Sequence, residues 1–265
     1  MKQIKYIFLL SILFFACDEI NPVNTRDNFT FLCVLKNDQV TQRAYIYDVI
    51  DLDGTNMNSS GAFVDYARIT ISDGTISSRL RVDNYVYTDN SALHGRILPN
   101  KKYDVQIIID DEIITGSTTT PGEFAIKLPI NDTIDLYKDA DKEYIGSSLI
   151  YKYRLSWSES ANASHYMVFS DVIYRHESGR TGGFRQTINT ADTFALLNIP
   201  EVIPESYFDF TGYYPELAKF VIISVDKNYY DYNILKRDRA GLSSQYGVFG
   251  STITITDSCF VSIKY

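Results

Sequence analysis

Histidine and cysteine are scarce, with three of each in 265 residues, and tryptophan occurs once. His94, His165 and His176 show neither the two-histidine helical spacing of metalloproteases nor a paired cysteine–histidine zinc pattern. The chain also lacks a Gly-x-Ser-x-Gly nucleophile elbow and a Gly-x-x-x-x-Gly-Lys phosphate loop. Basic residues are outnumbered, 25 against 33 acids, for a formal charge of −8 with no basic stripe. A nucleic-acid partner needs clustered cations to displace counterions, so that class is excluded. No cofactor and no metal are expected. Runs rich in Ala or Leu are few, and no period of solenoid length is visible.

What the chain does have is aromatic and β-branched bulk, including 21 Tyr and 15 Phe, which favours sheet over helix. It opens with Lys2 and Lys5, then an almost unbroken apolar run from Tyr6 to Phe15 that ends in Ala16. That order of charged, apolar and small residues is a secretory signal. Ten helical residues at ~1.5 Å each cover about half of a ~30 Å hydrocarbon core, too little to span it. The segment Leu13-Phe14-Phe15-Ala16-Cys17 resembles a bacterial lipobox, with Phe14 where Leu is commoner. The resemblance implies cleavage before Cys17, a diacylglycerol on its sulfur and an acyl chain, such as palmitate, on the new amino group. At ~0.8 kcal/mol per buried methylene, one chain holds a protein marginally and two or three hold it firmly. The mature chain is therefore expected to be membrane-tethered.

Residues 1–16 read as the leader and 17–28, polar and with Pro22, as a tether. A first module is expected over 29–122. There Ala67, Ile69 and Ile71 alternate with Arg68, Thr70 and Ser72 up to an Asp73-Gly74 turn, and Tyr103, Val105, Ile107 and Ile109 share a face before Asp110-Asp111 turns the chain back. Thr118-Thr119-Thr120-Pro121-Gly122 marks its end. Residues 123–143 read as a linker, with a bridging strand from Phe124 to Ile130 and a loop from Asp132 to Glu143. A second module, 144–265, starts with Tyr151, Tyr153, Leu155 and Trp157 on one face. Its further strands are predicted at 165–174, 220–225, 252–256 and 259–263. Short turn-bounded runs with a two-residue period indicate an all-β protein of two β-sandwich modules with little helix. One short helix is predicted, capped by Asn228, with Tyr232 and Leu235 on a common face and its end at Gly241.

Several phrases carry a family resemblance: residues 63–74 (FVDYARITISDG), 97–103 (ILPNKKY), Thr119-Thr120-Pro121 and, near the end, Gly247-Val248-Phe249-Gly250-Ser251. They resemble the Bacteroidota lipoproteins of the Domain of Unknown Function 4249 family. Residues 155–166 (LSWSESANASHY) resemble the Trp-then-Ala-Tyr region of fibronectin type III sandwiches, which recurs in that family's second half. The resemblance implies two immunoglobulin- or fibronectin type III-like sandwiches on an outer-membrane lipoprotein, many of whose relatives are encoded beside TonB-dependent transporters. Cys17-Asp18-Glu19 is similar to the pattern that marks lipoproteins exported to the surface, although acids beside the anchor also suit a plain linker.

Candidate sites are few. Cys33 and Cys259 remain as thiols after lipidation, and export to an oxidising compartment makes a bridge between them one reading, separate burial the other. Tyr213, Tyr214, Tyr229 and Tyr230 lie in aromatic clusters that either stack on a ligand or partner or fill the second core. Asp51, Asp53 and Asn56 around Gly54, and Asp139, Asp141 and Glu143, are alternate oxygen sets of the kind calcium uses, but both miss the EF-hand order. The Gly-rich run after His176-Glu177 reads as a hairpin turn or a binding loop. Trp157 and Tyr153 are expected to centre the second core. The function these features support is a non-catalytic binding or accessory component of the envelope, with a surface hydrolase of polysaccharide or peptide, or an adhesin, as the rivals.

Overall fold

The computed structural model describes residues 29–48, 61–129, 131–145, 148–201 and 213–263. Cys17 with its leader and tether, and the acid set Asp51, Asp53 and Asn56, lie outside these residues. The chain is all-β and sandwich-type. Its first half supplies β1 (Phe29–Lys36), β2 (Arg43–Asp48), β3 (Arg68–Ser72), β4 (Ser77–Arg79), β5 (Arg81–Asp83), β6 (Val86–Thr88), β7 (Lys102–Ile109) and β8 (Glu112–Thr119). Then follow β9 (Ile126–Lys127), β10 (Thr133–Asp135), a single helical turn α1 (Leu136–Asp139), β11 (Ala140–Ile145), β12 (Ser148–Trp157), β13 (His165–His176), β14 (Thr181–Thr190), β15 (Phe194–Pro200) and β16 (Tyr213–Val225). A short helix α2 (Lys227–Tyr229), continued by a π-turn (Tyr230–Ile234), leads to β17 (Arg239–Ala240) and the long β18 (Tyr246–Ser262).

Alternation decides which faces are buried. In β7 Tyr103, Val105, Ile107 and Ile109 point inward, and in β3 Ile69 and Ile71 meet them. The turn after β3 forms because the Asp73 carboxylate accepts the Thr75 and Ile76 N–H groups (2.8 and 2.7 Å), while Gly74 takes a positive φ. The four-stranded sheet β4-β3-β7-β8 covers β1, β2 and β6, with Phe249 of β18 in the same core. In the second core β12 and β15 lie over β13, β16 and the later part of β18, around Trp157, which meets Tyr166 edge-on at 5.3 Å. Tyr153 is buried in the same core, four residues earlier on β12. The turn between β13 and β14 is a tight hairpin in which the His176 N–H donates to the Arg180 carbonyl at 2.8 Å and Gly179 takes φ +83°.

One strand joins the two cores. Residues 246–252 of β18 run parallel to β1, and residues 252–260 run antiparallel to β16, so a single ten-stranded sheet passes through both. The Gly247-Val248-Phe249-Gly250-Ser251 phrase sits at this seam. A side chain at Gly247 would collide with the Phe31 carbonyl of β1, and φ there is +109°. Only glycine lets the two backbones come this close.

One open reading is decided, in favour of separate burial, and two sequence expectations need correction. Cys33 and Cys259 are free thiols in different cores. Cys33 stands opposite Phe249 on β18, ten residues from Cys259, or about 30 Å at ~3.3 Å per strand residue. A disulfide needs Cα atoms within ~7 Å, so no bridge forms; burial instead pushes both thiols up to about 12. Residues 132–143 are not a loop, because Ile134 and Leu136 are fully buried against the second core and pull β10 and α1 into place. The bridging strand at 124–130 shrinks to β9, which pairs only with Ser156 and Trp157.

Candidate functional site

The two halves meet where β8, the end of β16 and β18 converge. Asp226 follows the last residue of β16 and is 3% exposed. Its carboxylate accepts a hydrogen bond from the Thr118 hydroxyl of β8 and another from the Tyr229 N–H at 2.8 Å, which caps α2. Its own N–H donates to the Ser251 carbonyl at 3.1 Å, and the Thr118 and Ser251 hydroxyls lie 2.9 Å apart. Burial raises this carboxyl above its ordinary range, opposed by the hydrogen bonds from Thr118, Tyr229 and Ser251. The predicted helix cap at Asn228 is thereby displaced by two residues. Asn228 instead donates its amide to the Ser117 and Phe249 carbonyls (2.8 and 2.9 Å), tying α2 to both halves. The regular helix ends at Tyr229 and the π-turn by Ile234, well before Gly241.

A cleft of about 440 Å³ opens beside this junction, between Ser117–Thr119 of the first half and Asn162–Ser164 of the second. The same seam is stitched by the Gly122 N–H to the Ala161 carbonyl (2.6 Å) and by the Ser160 hydroxyl to the Gly122 carbonyl (2.7 Å). Lys227 on its rim is paired with Asp231 at 2.6 Å. Asp226 is the residue that sequence reasoning missed; the signal was available as a lone acid directly after the apolar run 220–225.

The four candidate tyrosines do not converge. Tyr229 and Tyr230 are half-buried at the junction, the Tyr229 hydroxyl 4.0 Å from the Met167 sulfur and the Tyr230 ring 5.2 Å from the His165 ring. Tyr213 and Tyr214 start β16, opposite His176 and Arg175 of β13. The whole of β16, about 40 Å at ~3.3 Å per residue, separates the two pairs. Tyr214 is 43% exposed, whereas burial raises Tyr229, so these two differ in environment as well as place. Burial also lowers His165, whose two ring nitrogens have no hydrogen-bond partner among the described residues.

The second acid set is spent locally. The Asp139 carboxylate accepts the Asp135 N–H at 2.9 Å, and Glu143 pairs with Lys152 across β11 and β12. Among the described residues no group of three or more His, Cys, Asp or Glu is gathered to hold a metal ion. No helix among them is long and apolar enough to cross a membrane.

No family model and no curated protein matches the chain. Among solved structures it matches a DUF4785 family protein from Legionella pneumophila, at 10% identity, over 70% of this chain and 48% of that one, with a TM-score of 0.19. The chain thus spans about half the length of that protein, and a likeness of this size carries no argument about fold or activity.

Proposed function

We propose that the protein is a non-catalytic binding or accessory component of the cell envelope, held at the outer membrane by acyl chains on Cys17 and acting beside a TonB-dependent transporter. The observation that carries the non-catalytic part is the use made of Asp226. A general acid or base must offer an oxygen to a substrate proton. Asp226, raised by burial as such groups are, spends its oxygens on Thr118 and the Tyr229 N–H and so fastens β8, α2 and β18 to one another. The anchor rests on the sequence ahead of Cys17. A flexible tether keeps the folded body near membrane partners and raises its effective concentration there.

Mass spectrometry of the mature protein from native membranes tests the anchor. The expected product begins at Cys17 with a diacylglycerol thioether and an acylated amine, and affinity capture from the same membranes is expected to retain a TonB-dependent transporter. A bare Cys17 on a protein recovered from the aqueous fraction overturns the proposal. Turnover of a polysaccharide or peptide that is abolished in D226N would overturn the non-catalytic part and favour the hydrolase.

A further inference from the structure

Arg68, Arg79 and Arg81 lie on three successive strands, β3, β4 and β5, and line one recess. Strands β3 and β4 pair Thr70 with Arg79, and the Leu80 N–H donates to the Ile69 carbonyl at 2.9 Å, which continues the same register one step further. Beyond Leu80 the chain leaves that ladder: Arg68 pairs with Ile108 of β7, while Arg81 opens β5 and pairs with Thr88 of β6. Ile69 and Leu80 are buried, whereas Arg68, Arg79 and Arg81 are all exposed. They line one open recess of about 850 Å³, together with Asp65, Tyr66, Ser77 and Asn90. Like charges gathered at one recess repel one another. Among the described residues none of the three lies within ion-pair distance of a carboxylate, whereas Arg175, Arg185 and Arg237 each do. Of the two carboxylates on the recess, Asp89 is buried and already accepts the Gln42, Ser91 and Leu93 N–H groups, leaving Asp65 as the exposed acid.

We infer that this recess binds an acidic oligosaccharide, its carboxylate or sulfate groups on Arg68, Arg79 and Arg81 and a sugar ring against Tyr66. Guanidinium groups present a planar fork of donors that fits such oxyanions in pairs of hydrogen bonds. Arg79 and Arg81 stand two residues apart, about 7 Å of strand, which suits acids repeated along an extended polymer better than one compact anion. Tyr66 is 55% exposed at the rim, and an exposed ring offers a flat amphipathic face for a sugar. The lining is mainly polar, so an apolar ligand would gain little there. This site does not depend on the membrane anchor, nor on the junction at Asp226.

The test is calorimetric titration of the full chain with a galacturonate oligomer, a sulfated heparin oligomer, the methyl ester of the galacturonate oligomer and inorganic sulfate. The expected result is that at least one acidic oligomer binds, that added salt weakens it, and that the neutral ester and sulfate alone bind at least tenfold more weakly. R68Q and R79Q are each expected to weaken the acidic oligomer about tenfold, the scale of a lost charge-assisted hydrogen bond, while R185Q, on β14 of the other half, leaves it unchanged. Binding by neither acidic oligomer, equal binding of the ester or of sulfate, or indifference to R68Q and R79Q in variants whose melting is unaltered would each overturn the inference. The lipid state of Cys17 is read separately, so failure here leaves the proposed function standing.

Discussion

In the first half of the molecule Tyr87 donates its hydroxyl to the Val64 carbonyl and accepts the Ala67 N–H, both at 2.9 Å. Tyr103 does the same between Arg96 and Leu98, and Thr120 is bonded to Leu98 and Lys101. In the second half Tyr166 accepts the Ser160 N–H and Tyr174 donates to the Pro200 carbonyl, but among the described residues the Trp157 indole N–H, the Ser170 hydroxyl and both ring nitrogens of His165 are buried with no hydrogen-bond partner. Burying an unbonded polar group costs of the order of 1–3 kcal/mol, so the second core must recover that through packing. Its filling is suited to that purpose, since Trp157, Tyr151, Tyr174, Phe220 and Tyr166 bring large rings to one place. The first core is filled mostly by Ile, Val and Leu, and its few hydroxyls act as clamps on loops. The second core thus carries more rings and leaves more buried polar groups unbonded than the first.

The largest effect expected from that contrast comes from W157A. Removing the ring that Tyr166 and its neighbours pack against is expected to cost ~3–5 kcal/mol, seen as a lower denaturant midpoint. A loss under 1 kcal/mol would show that the second core does not depend on its rings. Next comes Y87F, which keeps the ring and deletes the clamp. It leaves the Val64 carbonyl and Ala67 N–H buried and unpaired, so the expected cost is ~1–3 kcal/mol by the same measurement. T120V should fall in that range for the same reason. If both are neutral, the clamping attributed to hydroxyls in the first half fails.

Asp226 belongs to neither core and fastens the halves, so its prediction concerns pH. Its carboxyl is raised above the ordinary 3.8, chiefly by burial, so the folded chain holds that proton more tightly than the unfolded chain. Stability from this group is therefore complete below the unfolded value and is lost as pH rises through the folded one. D226N abolishes that loss while keeping an acceptor for the Tyr229 N–H and a donor toward Thr118. The difference in stability, variant minus wild type, is expected to rise with pH from about pH 4 upward and then level off. Asp73 and Asp171, held low by backbone N–H groups and by Arg185 respectively, act in the opposite sense in both proteins and cancel in the comparison. A flat difference across that range would mean that the folded carboxyl is not raised.

Much of this was legible where a strand's partners lie close in sequence. The alternation in β3, β7 and β12 named the buried residues, and Asp73-Gly74 and Asp110-Asp111 named the turns, because each depends only on local period and turn chemistry. What was not legible depends on distant register. β18 reads as two short strands because Asp257 and Ser258 interrupt its apolar pattern, yet its pairing with β16 runs straight through them. Its parallel contact with β1 crosses more than 200 residues and leaves no local mark, and the same blindness left the Cys33–Cys259 bridge open. The arginine recess is of this kind too, since Arg68 on β3 and Arg81 on β5 belong to different sheets and line one recess only once those sheets pack. Asn228 looked like the helix cap because its side chain is a good one, but the acid two residues earlier accepts the Tyr229 N–H and Asn228 donates to the Ser117 carbonyl instead.

The smallest effect has the opposite sign. Ser170 is fully buried on β13 with its hydroxyl unbonded, in a strand whose other inward residues are Tyr166, Val168, Val172 and Tyr174. S170A removes the stranded oxygen and leaves a space no larger than that oxygen, so the cost of the cavity is small and the burial penalty disappears. A gain of up to ~1 kcal/mol is expected from chemical unfolding with an unchanged m-value. Set beside T120V, which removes a hydroxyl of the same kind from a bonded position, the pair isolates hydrogen bonding from burial. A loss in S170A as large as that in T120V would place a partner on Ser170 and erase the contrast between the halves.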